Sequence, residues 1–271
     1  MTWTGRSLRL SRLSVSNDGR YLFVPLDHSV SDGPVVSQDE WSGLVSAIVQ
    51  GGADAIIVHK GRARTVDPAV LGRCALIVHL SAGTAHAADT NAKVLVGEVE
   101  DAVRLGADAV SVHVNIGSDT ERRQLADLGA VASSCDTWNV PLLAMMYPRG
   151  PRIADPNDPK LLAHLVNIAA DLGADLVKTP MAAPAERTAE VTASSPIPVL
   201  AAGGPADGSD LVTCARAAMA AGCHGLAVGR RVFTTASPRA AVASLAAVVH
   251  SRIVEPTDNL THYPILTRGA A

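Results

Sequence analysis

The chain has 271 residues, enough to bury a large core, and its 48% hydrophobic and 18% charged residues exclude a disordered chain. A formal charge of −3, with no Lys/Arg run, gives no electrostatic footprint for nucleic acid or an anionic membrane. Aromatics are only 3%, so the core must be built from Ala, Val, Leu and Ile, which suit parallel strands covered on both faces.

The first twenty residues, which include MTWTGRSLRLSRLSV, form an N-terminal extension without the apolar stretch of a signal peptide. No uncharged apolar segment approaches 18 residues, so no membrane span is expected and the cytoplasm is the default. Eight short apolar runs then alternate with amphipathic stretches. In chain order they are YLFVPLD (21–27), DAIIVHK (54–60), ALIVHLS (75–81), DAVSVHVN (108–115), PLLAMMY (141–147), DLVKT (175–179), IPVLAAG (197–203) and GLAVG (225–229). Each is too short for an independent helix and is rich in Val, Ile and Leu, so each reads as a buried strand. Between them lie helical patterns such as VEDAVRLG and DPKLLAHLVNIAADLG. The alternation predicts an α/β chain folded as one closed (β/α)8 TIM-barrel domain, and the length is close to the roughly 250 residues usual for that fold.

A repeated joint supports the barrel. Gly52-Ala53-Asp54, Gly106-Ala107-Asp108 and Gly173-Ala174-Asp175 each end a helical stretch and open a strand, and Gly222-Cys223-His224 takes the fourth such place. Glycine past a helix end adopts the left-handed conformation without a Cβ penalty. The segment 82–96 is long for a βα loop and is expected over the barrel mouth, with KVLV as a short extra strand. The tail 252–271 has no strong period and is expected to pack externally or at a subunit contact. Cys74, Cys135, Cys214 and Cys223 form no CxxC pair and read as reduced thiols rather than a zinc knuckle or disulfide framework.

Barrel enzymes place their chemistry at the C-terminal ends of the strands. Those ends here carry Asp27-His28, His59-Lys60, His79 and Ser81, His113 and Asn115, Tyr147, Lys178, Gly203-Gly204 and Gly229-Arg230. Lys178 is the sharpest of these. The chain uses arginine for most basic positions, its only lysines being Lys60, Lys93, Lys160 and Lys178, yet it keeps this one inside an apolar strand. Burial disfavours the charged form of an amine and frees its lone pair for attack on a carbonyl. A phosphate-binding or ion-paired lysine is the alternative. Lys60 is expected to contact a substrate anion or influence Lys178, with an ion pair to Asp27 as its structural alternative. Tyr147 can move protons at the mouth or merely cap the core, and Asp27 can orient a hydroxyl or act as acid–base group. Asp32-Gly33-Pro34 reads as a turn. His28, His59, His79 and His113 could bind substrate hydroxyls or form a metal cluster, although no HxH or HExxH spacing supports a metal. Gly203-Gly204 and Gly229-Arg230, after strands seven and eight, form the expected phosphate site.

Taken in order, PLDHSVSDGP, AIIVHKG, LIVHLSAGT, ADAVSVHVNIGSD, MMYPRG, ADLVKT, AAGGP and AVGRRVF resemble the archaeal-type class I aldolases. The likeness runs from about residue 8 to residue 250. It is nearest to the 2-amino-3,7-dideoxy-D-threo-hept-6-ulosonate synthase subgroup and its relatives in aminohydroxybenzoate biosynthesis. The resemblance implies Lys178 as Schiff-base lysine, Tyr147 as proton donor and Asp27 as proton acceptor. His28, Ser29, Val30, Ser31, Lys60, His113, Pro148 and Arg149 would line the substrate site, and Gly203, Gly204, Gly229 and Arg230 would hold phosphate. No metal or other cofactor is implied. The partners would be a phosphorylated ketone and an aldehyde, dihydroxyacetone phosphate and L-aspartate 4-semialdehyde, with the chain in a homo-oligomer such as a decamer. A transaldol synthase using a deoxy-ketohexose phosphate and a fructose-bisphosphate aldolase are the alternatives within the class. A metal-dependent lyase or isomerase and a non-catalytic phosphosugar-binding barrel are the alternatives outside it. Two positions depart from the family pattern. Ser29 stands where relatives usually carry glycine, and Pro180-Met181 follow Lys178-Thr179 where relatives often carry Ser or Asn and then Tyr.

Overall fold

The computed structural model describes residues 5–203 and 210–251; Gly204 and the 252–271 tail lie outside them. Eight parallel strands close on themselves in chain order. They are Tyr21–Pro25, Ala55–His59, Ala75–His79, Ala109–Ile116, Leu142–Pro148, Leu176–Thr179, Val199–Ala202 and Gly225–Ala227. The eighth strand closes onto the first through the register Tyr21↔Gly225. The expected (β/α)8 barrel is therefore present, each strand falling within or beside its apolar run.

Side chains of a strand point to alternate faces, and here the alternation sorts the core into two layers. Phe23, Ile57, Ile77, Ala109, Leu143, Leu176 and Leu200 fill the barrel interior. Their neighbours Leu22, Val24, Ile56, Val58, Val78, Val110, Val177 and Val199 face the helices outside. Full burial of each Leu, Ile, Phe or Val stabilises by about 1.5–3 kcal/mol, so both layers hold the sheet closed. The N-terminal extension plugs the base. Leu13, which follows the helix Gly5–Arg12, is fully buried among the interior residues, and Arg9 donates to the carbonyl of Ala107 at 2.8 Å.

The joints at the base repeat as expected. Gly52, Gly106, Gly173 and Gly222 have φ of 93°, 77°, 93° and 83°, a region that penalises any Cβ. The aspartate after each of the first three joints accepts the backbone N–H of the preceding strand. Asp54 takes Leu22 at 2.6 Å, Asp108 takes Leu76 at 3.2 Å and Asp175 takes Leu142 at 2.8 Å. At the fourth joint His224 keeps the backbone bond, to Val199, but has no carboxylate to offer.

Candidate active site

The same alternation that fills the interior with Leu and Ile carries polar groups to the mouth. Asp27, His59, His79, His113, Tyr147, Arg149 and Lys178 each share the face of interior residues on their own strand: Phe23, Ile57, Ile77, Ala109, Leu143 and Leu176. All seven line a cavity of about 430 Å³ at the C-terminal end of the barrel. Lys178 is 7% exposed, is flanked by Met145 and Leu200 in register, and points its Nζ to 5.9 Å from the centre of the Tyr147 ring.

Two neighbours pack on Tyr147. The His113 ring stacks on it at 4.9 Å and the Arg149 guanidinium carbon lies 4.4 Å from its centre. His113 is itself fixed by Asn115 Oδ1 at 2.8 Å, and Asn115 donates to the carbonyl of Asn91 in the loop above. Across the mouth, Asp27 Oδ2 lies 3.7 Å from His79 Nε2, whose other nitrogen meets Ser111 Oγ at 2.8 Å. Among the described residues Asp27 Oδ1 is buried without a hydrogen-bond partner, 3.5 Å from His28 Nδ1.

Burial sets the charges here. It opposes ionisation of Asp27, but His79, His28 and Lys178 outweigh it, and the carboxyl titrates below its ordinary range. Desolvation pushes His79 down to about 4, against the pull of Asp27. It also holds His113 well below its usual value, helped by the positive charges of Lys93 and Arg149. Neutral imidazoles and an ionised Asp27 are thus the resting state near neutral pH.

The loop expected over the mouth is there. Ser81–Ala82 pairs antiparallel with Val94–Leu95, and Ala82–Ala85, Thr90, Asn91 and Lys93 form one wall of the cavity. Lys93 and Asn91 carry no periodic signal, so they were not among the sequence candidates. The nearest signal is that Lys93 is one of few lysines. Asp32, read as a turn residue, also lines the cavity, as do His79 and Ser81.

Of the candidates, His28, Val30, Ser31 and Arg230 join the seven at the wall. Others do not. Lys60 has the opposite strand parity to His59, lies outside the cavity wall and pairs with Asp101 at 3.2 Å rather than with Asp27. The ion pair expected as the alternative, with Asp27, is thus formed with Asp101 instead. Pro148 faces away for the same reason, and Ser29, on the short helix His28–Ser31, is also absent from the wall. Gly203 and Gly229 do not line it either, and packing explains both. A Cβ on Gly203 would meet Val228 at 2.8 Å, and one on Gly229 would meet the Pro25 carbonyl at 2.5 Å and the His28 ring at 2.6 Å. Arg231 donates to the Gly203 carbonyl at 3.2 Å and so ties the seventh and eighth loops together. Loop six, with Pro180-Met181, is anchored by Asn157, which donates to the Met181 carbonyl at 2.7 Å. Among the described residues no group of three or more His, Cys, Asp or Glu is placed to hold a metal ion.

A closed parallel barrel with a buried lysine, a phenol and a carboxylate gathered at the C-terminal mouth has the build of a barrel aldolase. The model of the DeoC/LacD family aldolases matches residues 21–235. The 2-amino-4,5-dihydroxy-6-oxo-7-(phosphonooxy)heptanoate synthase of Streptomyces griseus is 51% identical over 248 residues, covering 91% of this chain and 90% of that protein. The 2-amino-3,7-dideoxy-D-threo-hept-6-ulosonate synthase of Halobacterium salinarum is 41% identical over 251 residues, 92% of this chain and 93% of that one. Among solved structures, a Schiff-base-forming fructose-1,6-bisphosphate aldolase superposes with a TM-score of 0.81 at 24% identity, covering 90% of this chain and 100% of that chain; this likeness shows the fold. The chain belongs to the DeoC/LacD aldolase family. It is an aldolase, as the resemblance read from the motifs implies.

Proposed function

We propose that this aldolase joins dihydroxyacetone phosphate to L-aspartate 4-semialdehyde through a Schiff base on Lys178. The observation that carries the reading is the place of Lys178, a buried amine facing a polar cavity beside Tyr147 and the ionised Asp27. The substrates are supported by the name of the Streptomyces griseus relative. A heptanoate with a ketone at carbon 6 and a hydroxyl at carbon 4 disconnects, as an aldol, between carbons 4 and 5. That cut leaves a four-carbon amino-acid aldehyde and a three-carbon ketone phosphate.

Lys178 Nζ adds to the ketone carbon and water leaves, giving an iminium that acts as electron sink. A proton then leaves the adjacent hydroxymethyl carbon. Asp27 Oδ1, a buried acceptor without a donor among the described residues, is the group suited to take it. The resulting enamine forms the new bond to the aldehyde carbon, and the Tyr147 hydroxyl gives its proton to the oxygen that becomes the carbon 4 hydroxyl. Water hydrolyses the iminium, releases product and restores the amine, and the proton taken by Asp27 passes back to the Tyr147 phenolate, so both groups return to their starting states. The sequence needs no metal, because the iminium does the polarising. His28, Val30, Ser31 and His113 shape the substrate site. Arg230, on the wall beside loops seven and eight, pairs with the phosphate. Among the described residues no helix is long and apolar enough to cross a membrane. A cytoplasmic homo-oligomer is the setting that the resemblance implies.

Borohydride reduction in the presence of dihydroxyacetone phosphate, followed by peptide mass mapping, tests this directly. The expected result is an adduct on the Lys178 peptide that persists in a chelator. An adduct on Lys60, or none, overturns it. With the semialdehyde added, a product that retains phosphate separates this reaction from the transaldol alternative.

A further inference from the structure

We infer that Lys93, together with Arg149, grips the carboxylate of the aldehyde substrate and so selects an amino-acid aldehyde over an uncharged one. The inference rests on the proposed reaction and adds a specificity residue to it.

A lysine on a solvent-facing hairpin normally extends its ammonium into water. Lys93 does not. It directly precedes the two-residue ladder of Val94–Leu95 on Ser81–Ala82, and its side chain folds back over Gly83 into the cavity wall. A Cβ on Gly83 would sit 2.9 Å from Lys93 Nζ and 2.6 Å from the Ala92 carbonyl, so the amine lies directly over the glycine, against the first arm of the hairpin. Arg149 reaches the same wall from the fifth strand, over Tyr147. The two cations are close enough that each disfavours charge nearby. After burial, Arg149 is the largest influence holding Lys93 below its ordinary range, with Asp32, Asp27 and Asp89 pulling the other way. Both also act on the His113 ring. Among the described residues no carboxylate lies within ion-pairing distance of either side chain. A half-buried Lys93 beside the more exposed Arg149, neither held in an ion pair among the described residues, forms a site for an anion.

The barrel topology says which anion. Strands one and eight are neighbours, and the charge of Arg230, after the eighth, is felt at His28, after the first. The fourth strand lies opposite the eighth in the ring, and the charges of Lys93 and Arg149 are felt at the fourth-strand His113. Lys178, on the sixth strand, lies between these positive poles. A chain with phosphate at one end, carboxylate at the other and its ketone carbon next to the phosphate end spans that arrangement.

The test compares L-aspartate 4-semialdehyde with 3-aminopropanal, which keeps the amine and aldehyde but lacks the carboxylate. Charge-assisted hydrogen bonds of this kind contribute about 10- to 100-fold in affinity. Wild-type enzyme should therefore favour the semialdehyde by about that factor in kcat/KM. Lys93→Met should erase the preference by raising the semialdehyde KM, while 3-aminopropanal turnover and the borohydride-trapped adduct with dihydroxyacetone phosphate stay unchanged. Lys93→Arg, which keeps the cation, should restore most of the preference. A Lys93→Met enzyme that keeps the preference, loses both aldehydes equally or loses the Lys178 adduct overturns the carboxylate grip alone. Wild-type enzyme that forms no adduct, or an adduct but no product with the semialdehyde, sinks the reaction and the grip with it.

Discussion

Tyr147 packs against the His113 ring at 4.9 Å and the Arg149 guanidinium at 4.4 Å, contacts made by its ring and not by its hydroxyl. Tyr147→Phe should keep that stacking and lose only the proton. We expect kcat to fall by about 10²- to 10⁴-fold while the Lys178 adduct with dihydroxyacetone phosphate still forms, as single-turnover trapping would show. An enzyme that turns over normally without the hydroxyl removes Tyr147 from the proton path. The contrast between Lys178 and Lys60 turns on parity. Lys178 lies within its apolar strand, two residues beyond the interior Leu176, whereas Lys60 follows its own, three beyond the interior Ile57 and at the start of the short helix Lys60–Ala63. An odd offset turns a side chain to the helix layer, where Asp101 meets Lys60. That distinction was available from the period of the strand. Residue type alone obscured it.

At the level of elements, the joints carry a ranking. Asp54 accepts from Leu22 and Val15 and meets His250 Nε2 at 3.1 Å, all from a side chain 1% exposed. Asp108 accepts from Leu76 alone among backbone donors and pairs with Arg12 at 3.6 Å across a more exposed surface. Stranding a buried donor costs about 1–3 kcal/mol. Asp54→Ala should therefore lower stability in urea by several-fold more than Asp108→Ala; equal losses would show that these carboxylates do not hold the strands as the hydrogen bonds indicate. The Gly-Ala-Asp joints were legible because a left-handed glycine and a strand start are local requirements. The mouth hairpin was legible only as a long segment. Nothing in 82–96 says that Lys93 turns inward, because that depends on how the two arms pack against each other around Gly83.

For the whole molecule, buried histidines make stability depend on pH in both directions. His28, His59, His79 and His113 all titrate below their ordinary value because burial disfavours their charge, His79 at about 4. The unfolded chain binds more protons than the folded one as pH falls from about 6.5 to about 4, so stability should decline over that window. His250 behaves oppositely. Its bonds to Asp54 and Asp18 raise it to about 9, tying the end of the last helix, Pro238–Val249, to the base of the barrel. Its contribution is complete below about 6.5 and is lost as pH rises through 9. Thermal melts should show an alkaline decline that is flattened in His250→Gln, and an unchanged slope would rule out this ion pair as its source. Strand count, order, the glycine joints and the crowding of polar residues at one end all follow from the chain, because they depend on local periodicity and on the rule that connects helix to parallel strand. Which polar groups share one cavity was decided by closure of the ring. Closure brought Arg230, Asp27, Tyr147 and Lys178 from distant stretches to one mouth, folded Lys93 in beside them and left Lys60 outside.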